Sequence, residues 1–154
     1  MGPDMAYEKV LKSLPLASYR AGDTILYAGS QSGKLLVLKR GAVGIVQEDV
    51  EIARVAEPGA VFGELSALLD QPHSADVRAL EDCEFYVADA ALPVKDPAVL
   101  LNIARILARR IVAANKSLVE LKTQLQTGQS PSAISGLLEK IQEILSVGGA
   151  SFET

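Results

Sequence analysis

Polar and apolar positions along the chain fall into three regimes. In the first, Tyr7, Val10, Leu11 and Leu14 recur three and four apart, as on one face of a helix. The pattern predicts a short amphipathic helix over residues 4–16, ended by Pro15. From Arg20 to Asp89, short apolar runs alternate with turn residues: Ala21-Gly22-Asp23, Gly29-Ser30-Gln31-Ser32-Gly33, Arg40-Gly41 and Glu57-Pro58-Gly59. KLLVLKRGAVGIVQ reads as a strand, a turn at Gly41 and a second strand, and EIARVAEPG and SADVRALEDCEFYVAD as further strands. Regular turns between short strands predict a β barrel or sandwich.

The third regime opens at Pro97, where Asp96 supplies an N-cap and proline suits the first turn. Leu100, Ala104, Leu107, Ile111, Ala114, Leu118, Leu121 and Leu125 then step by four and three, an a/d seam over about four heptads. The early part of the seam is expected to pack on the barrel. A helix of about 28 residues is about 42 Å long, more than a small barrel covers. The distal half therefore needs another partner, and a parallel homodimer is expected, seamed by Leu107, Ile111, Ala114, Leu118, Leu121 and Leu125. A polar linker follows, and Ser130 and Pro131 start a second amphipathic helix, 131–146, with Ile134, Leu137, Leu138, Ile141, Ile144 and Leu145 as its apolar face. It is expected to fold back on its own subunit or pack in the dimer. Val147-Gly148-Gly149 ends it, leaving residues 147–154 as a flexible tail.

Length and composition narrow the class. The chain has 154 residues, 49% of them hydrophobic, enough for one domain with a real core plus an appendage. Tryptophan is absent, so aliphatic side chains must build that core. A net charge of −4 argues against a nucleic-acid surface, and the basic run Arg105, Arg109, Arg110 and Lys116 reads as a solvated helix face. The single cysteine, Cys83, stands between Asp82 and Glu84, where a thiolate is disfavoured, and is read as inert. With no signal-like N-terminus and no apolar run long enough to span a bilayer, a soluble, cytoplasmic protein is expected. One histidine, no activated cysteine and no clustered metal ligands leave neither a metal site nor a nucleophile–base pair, so the chain is not expected to be an enzyme.

Candidate chemistry concentrates in GAVFGELSALLDQPHSADVRAL, residues 59–80. A short strand ends at Phe62, Gly63 permits a positive φ or a close backbone approach, and residues 64–69 have helical composition. A glycine ahead of a helix N-terminus is an anion site in outline, and a carboxylate at Glu64 could accept from sugar hydroxyls. Phosphate and ribose together describe a nucleotide. Taken alone, a Gly-Glu before a short helix is more simply a surface turn.

The wider pattern resembles the cyclic nucleotide-binding domain family. YRAGDTILYAGSQSGKLLVLKRGAVGIV is similar to its early strands, with Gly22, Gly29 and Gly41 at the turns. GAVFGELSALLDQPHSADVRALEDCEFYVAD resembles its phosphate-binding cassette and following strands, and the helix from Pro97 its C-terminal helix. The resemblance implies a mainly β, α+β fold: an antiparallel jelly-roll-like β barrel flanked by a short N-terminal helix and a long C-terminal one. The domain would cover residues 1–126, with the long helix at about 97–126, then a linker at 127–130 and the extra helix. It implies cyclic AMP or cyclic GMP as ligand, with no other cofactor. Phe62 belongs to the Phe-Gly-Glu motif; Gly63, Leu65 and Ser66 would donate amides to the cyclic phosphate, and Glu64 would accept from the ribose 2′-hydroxyl. Ser74 and Ala75 match the small residue after the phosphate-binding arginine, and Asn115 falls near the base. The arginine itself is replaced: nine residues after Glu64 stands His73.

A histidine offers one N–H and a pH-dependent charge where arginine offers a permanent planar fork. Three occupancies stay open: weak or pH-dependent phosphate binding, a different small ligand, or no ligand. The function expected is a stand-alone regulatory module that binds a cyclic nucleotide and signals through its C-terminal helices to an unknown protein effector. The alternative is a degenerate fold acting as a dimeric interaction scaffold. Only about 28 residues follow Gln126, too few for a helix-turn-helix module, so DNA binding is not expected.

Overall fold

The computed structural model describes residues 5–128 and 130–146. The tail at 147–154, the first residue of the expected N-terminal helix and the Leu145 side chain lie outside the described residues. The chain runs α1 (Met5–Ser13), β1 (Leu16–Tyr19), β2 (Thr24–Leu26), β3 (Lys34–Arg40), β4 (Val43–Gln47), β5 (Val50–Val55), β6 (Val61–Phe62), α2 (Glu64–Leu69), β7 (Asp76–Ala79), β8 (Cys83–Asp89), α3 (Leu92–Lys95), α4 (Pro97–Gln126) and α5 (Pro131–Ser146). All strand pairs are antiparallel, in two four-stranded sheets ordered β1-β8-β3-β6 and β2-β7-β4-β5. This is the expected antiparallel jelly-roll, built as a sandwich whose two sheets do not close into a barrel. No described strand pairs across the two sheets, and each sheet has a very short strand at one edge, β6 or β2, which gives little backbone with which to close.

β3 shows why the core lies where it does. Leu35, Leu36, Val37 and Leu38 are all buried, so this strand is apolar on both faces. Leu36 and Leu38 point between the sheets, toward Val43, Ile45, Val55, Val77, Phe62 and Phe85. Leu35 and Val37 point the other way and meet Leu11 of α1 and Val99, Ile103 and Ile106 of α4. An uninterrupted apolar run in place of strict alternation is what such a doubly covered strand requires.

α4 begins as its sequence dictates. The Asp96 carboxylate accepts from the Ala98 and Val99 amides at 3.0 and 3.4 Å, and Pro97 occupies the first turn. Its packed face, however, is Val99, Ile103, Ile106, Arg110, Ala114 and Ser117. The expectation that the early seam packs on the sheets is therefore corrected: Leu100, Ala104 and Ile111 are exposed, and Leu107 is only partly covered. The helix carries two adjacent apolar stripes, and the sheet takes the one a single residue earlier. α5 folds back along α4 and reaches β5, burying Ile141 and Ile144.

Candidate ligand site

The cassette is built by backbone constraints that begin at one glycine. β6 pairs with β3 through Leu36–Phe62 and Val37–Val61, and the chain must then turn sharply into α2. Gly63 makes that turn at φ +87°, and a Cβ there would come 2.7 Å from the Lys34 carbonyl oxygen. Both the left-handed conformation and the lack of space call for glycine. The first amides of α2, which follow directly, have no carbonyl one turn back within the helix. The Ser66 hydroxyl donates to the Gln71 carbonyl and closes the loop after α2.

The returning segment is tied to the loop after β2. The His73 amide donates to the Ser30 carbonyl and the His73 carbonyl accepts from the Gly29 amide, each at 2.8 Å. Gln47 Nε2 donates to the Ser74 carbonyl at 3.1 Å. Between α2 and this segment lies a cavity of about 110 Å³. Phe62, Gly63, Glu64, Leu65 and Ser66 line one side, His73, Ser74 and Ala75 another, and Leu26, Ile45, Val61 and Val77 add apolar surface. Eight of the nine residues singled out from sequence thus meet in one place. Asn115 does not: it is exposed on α4 and is not among the lining residues.

His73 is buried, and its Nε2 lies 2.9 Å from Ser32 Oγ and accepts from the Ser32 amide at 3.3 Å. Burial pushes its pKa below the ordinary histidine value, so the ring rests neutral at pH 7. Sequence reading treated Ser32 as part of a turn and missed this contact.

Glu64 is buried and points its Oε1 to Arg110 Nη1, 2.9 Å away, in an ion pair with only 5–6% of each side chain exposed. Arg110 Nε also donates to the Ile144 carbonyl of α5 at 3.0 Å. Burial raises the Glu64 pKa, and the guanidinium opposes that rise. The basic run is accordingly corrected: Arg105, Arg109 and Lys116 are exposed, but Arg110 is a buried link between cassette, α4 and α5. The sequence carried one hint, since Arg110 follows Ile103 and Ile106 by seven and four residues on the same helical stripe. Cys83 is buried, its thiol donates to the Ala42 and Glu81 carbonyls, and burial raises its pKa, an environment that disfavours a reactive thiolate.

The fold is thus a jelly-roll sandwich interrupted between β6 and β7 by a glycine-led helical cassette. Residues 16–91 match the family model for the cyclic nucleotide-binding domain, and the chain belongs to that family. Glutaminase 2 of Bradyrhizobium diazoefficiens is 34% identical over 119 residues, 69% of this chain but 18% of that protein. The catabolite activator protein of Thermus thermophilus superposes with a TM-score of 0.61 at 23% identity, over 90% of this chain and 83% of that one. PKAR CBD2 with bound Sp-2Cl-cAMPS superposes with a TM-score of 0.59 at 26% identity, over 87% and 84% of the two chains.

Proposed function

We propose that this chain binds a cyclic nucleotide, cyclic AMP or cyclic GMP, in the 59–75 cassette and works as a regulatory module through α4 and α5. The carrying observation is that the residues assigned to sugar and phosphate by the family resemblance line one cavity. In this reading the Gly63, Leu65 and Ser66 amides and the His73 ring face the cyclic phosphate. Glu64 accepts from the ribose, with Ser74 and Ala75 leaving room beside the phosphate. Asn115 would reach the base only if α4 swings over the cavity.

Glu64 already holds Arg110, so a ribose hydroxyl arriving at this carboxylate must share it or displace the guanidinium. Either change passes to α5 through the Arg110–Ile144 bond. A ligand shifts this equilibrium only by its difference in affinity for the two arrangements. The outer stripe of α4 serves as a homodimer seam, and a cytoplasmic setting with a protein effector completes the reading. No helix among the described residues is long and apolar enough to cross a membrane. Enzymatic activity is not part of the proposal, and the glutaminase match covers too little of that protein to bring its activity with it.

Calorimetric titration with cyclic AMP and cyclic GMP tests it, at about pH 8 and about pH 6, either side of the ordinary histidine pKa. Binding of either nucleotide that tightens at the lower pH is expected. Absence of binding by both the natural chain and His73→Arg refutes the reading and favours the scaffold alternative.

A further inference from the structure

Ser32 stands outside the cassette, yet it makes the hydrogen bonds that decide what His73 can offer. A backbone amide can only donate, so the Ser32 N–H contact at 3.3 Å makes Nε2 an acceptor. The Ser32 hydroxyl agrees: it accepts from the Lys34 amide at 3.2 Å, which leaves its own proton for Nε2 at 2.9 Å. Two donors on Nε2 place the ring proton of neutral His73 on Nδ1. Nδ1 itself has no hydrogen-bond partner among the described residues, and the ring lines the cavity.

Charged groups on the surrounding elements are engaged elsewhere. Glu64 of α2 holds Arg110, and Asp70 after α2 accepts from Gln31. Asp76 of β7 accepts from the Ala28 amide and from Arg78. Lys34 of β3 is exposed and meets this network through its backbone amide.

We propose that Ser32 is a positioning residue: it fixes His73 as the Nδ1–H tautomer, so that even the neutral ring presents a donor to the anionic phosphodiester of a cyclic nucleotide. The proposal rests on the reading of this cavity as a cyclic-nucleotide site. It assigns the pocket a basal anion affinity that needs no permanently charged side chain, since a hydrogen bond with one charged partner is already strong. Protonation at lower pH adds charge. It also takes Nε2 away as an acceptor for the Ser32 amide.

His73 is the chain's one histidine, so its ring nitrogens can be read directly by long-range proton–nitrogen NMR. At about pH 8 the natural protein is expected to show Nδ1 protonated and Nε2 bare. Ser32→Ala loses the closer hydroxyl donor and keeps only the longer amide contact, so it should show a larger share of the Nε2–H tautomer, and Ser32→Thr, which keeps the hydroxyl, the natural pattern. Cyclic AMP affinity of Ser32→Ala should fall about twofold to fivefold at this pH, in proportion to the lost competent tautomer. At the lower pH at which the same spectra show both nitrogens protonated, the deficit should vanish. A natural ring protonated on Nε2 overturns the proposal, and so does a Ser32→Ala deficit equal at both pH values, the mark of a merely structural defect. If neither cyclic AMP nor cyclic GMP binds at either pH, the functional reading fails and the anion role of Ser32 with it. The ligand-free spectrum tells that failure apart from a wrong tautomer.

Discussion

By the family resemblance His73 takes the place of the cassette's arginine, and in the proposed reading that exchange sets what the pocket can do at a given pH. Arginine keeps its charge and grips two oxygens, whereas the buried ring of His73 is neutral at pH 7. His73→Arg is therefore expected to tighten cyclic nucleotide binding by roughly ten- to a hundredfold, about the worth of one charge-assisted hydrogen bond, and to flatten its pH dependence. Calorimetry across the same pH range checks both. The ring also leaves a signature in stability. Its folded pKa lies below the ordinary value of about 6.5, so the unfolded chain takes up a proton first as pH falls. The stabilisation from neutral His73 is complete above that value and is lost as pH drops through the folded pKa. Glu64 has the opposite sign: burial raises its pKa, so its penalty grows as pH rises above the ordinary carboxylate range. Urea unfolding of the natural protein and His73→Gln, compared from about pH 8 to about pH 5, separates the two. The natural protein should lose ground to the variant on acidification.

At the scale of elements, the Glu64–Arg110 pair joins α2 to α4 and, through Ile144, to α5. Arg110→Met leaves a buried carboxylate without its cation and is expected to cost roughly 3–5 kcal/mol, while Glu64→Leu with Arg110→Met should recover most of that. Denaturant midpoints at constant m-value measure it. The pair also marks how far the sequence could be read. α2, β6 and the Gly63 turn were legible because their signals are local: a glycine free to take a positive φ, a short apolar strand, a helix of good formers. The apolar run of β3 was read as a strand, and its burial on both faces emerged only with the fold. Arg110 and Ser32 were not legible, because their partners lie 46 and 41 residues away. A charge on a helix reads as solvated until the fold supplies a carboxylate beneath it. The choice between adjacent stripes on α4 was hidden for a similar reason, since periodicity gives a helix apolar faces but not the one the sheet will take.

For the whole molecule, that choice leaves a second stripe uncovered. α4 packs one side on β3 and α5, and the expected dimer seam runs along another, with Ile111 59%, Leu118 50% and Leu125 57% exposed. Ala114 is buried within the subunit, so the seam at that level must be supplied by its neighbours. A stripe from Leu100 to Leu125 extends about 37 Å, the length of a short coiled coil. Sedimentation equilibrium should find a dimer in the natural protein and a monomer in Leu118→Asp, Leu121→Asp; a variant that stays dimeric would rule out the seam. The same helix carries Arg110, two turns before Leu118. If a cyclic nucleotide competes for Glu64, it perturbs the helix on which the dimer is built, and coupling between two binding events must run in both directions. Saturating cyclic AMP is thus expected to change the dimer dissociation constant, and the monomeric variant to change cyclic AMP affinity by the corresponding factor. Arg110→Met should uncouple the two, leaving nucleotide binding and dimerisation each measurable but independent.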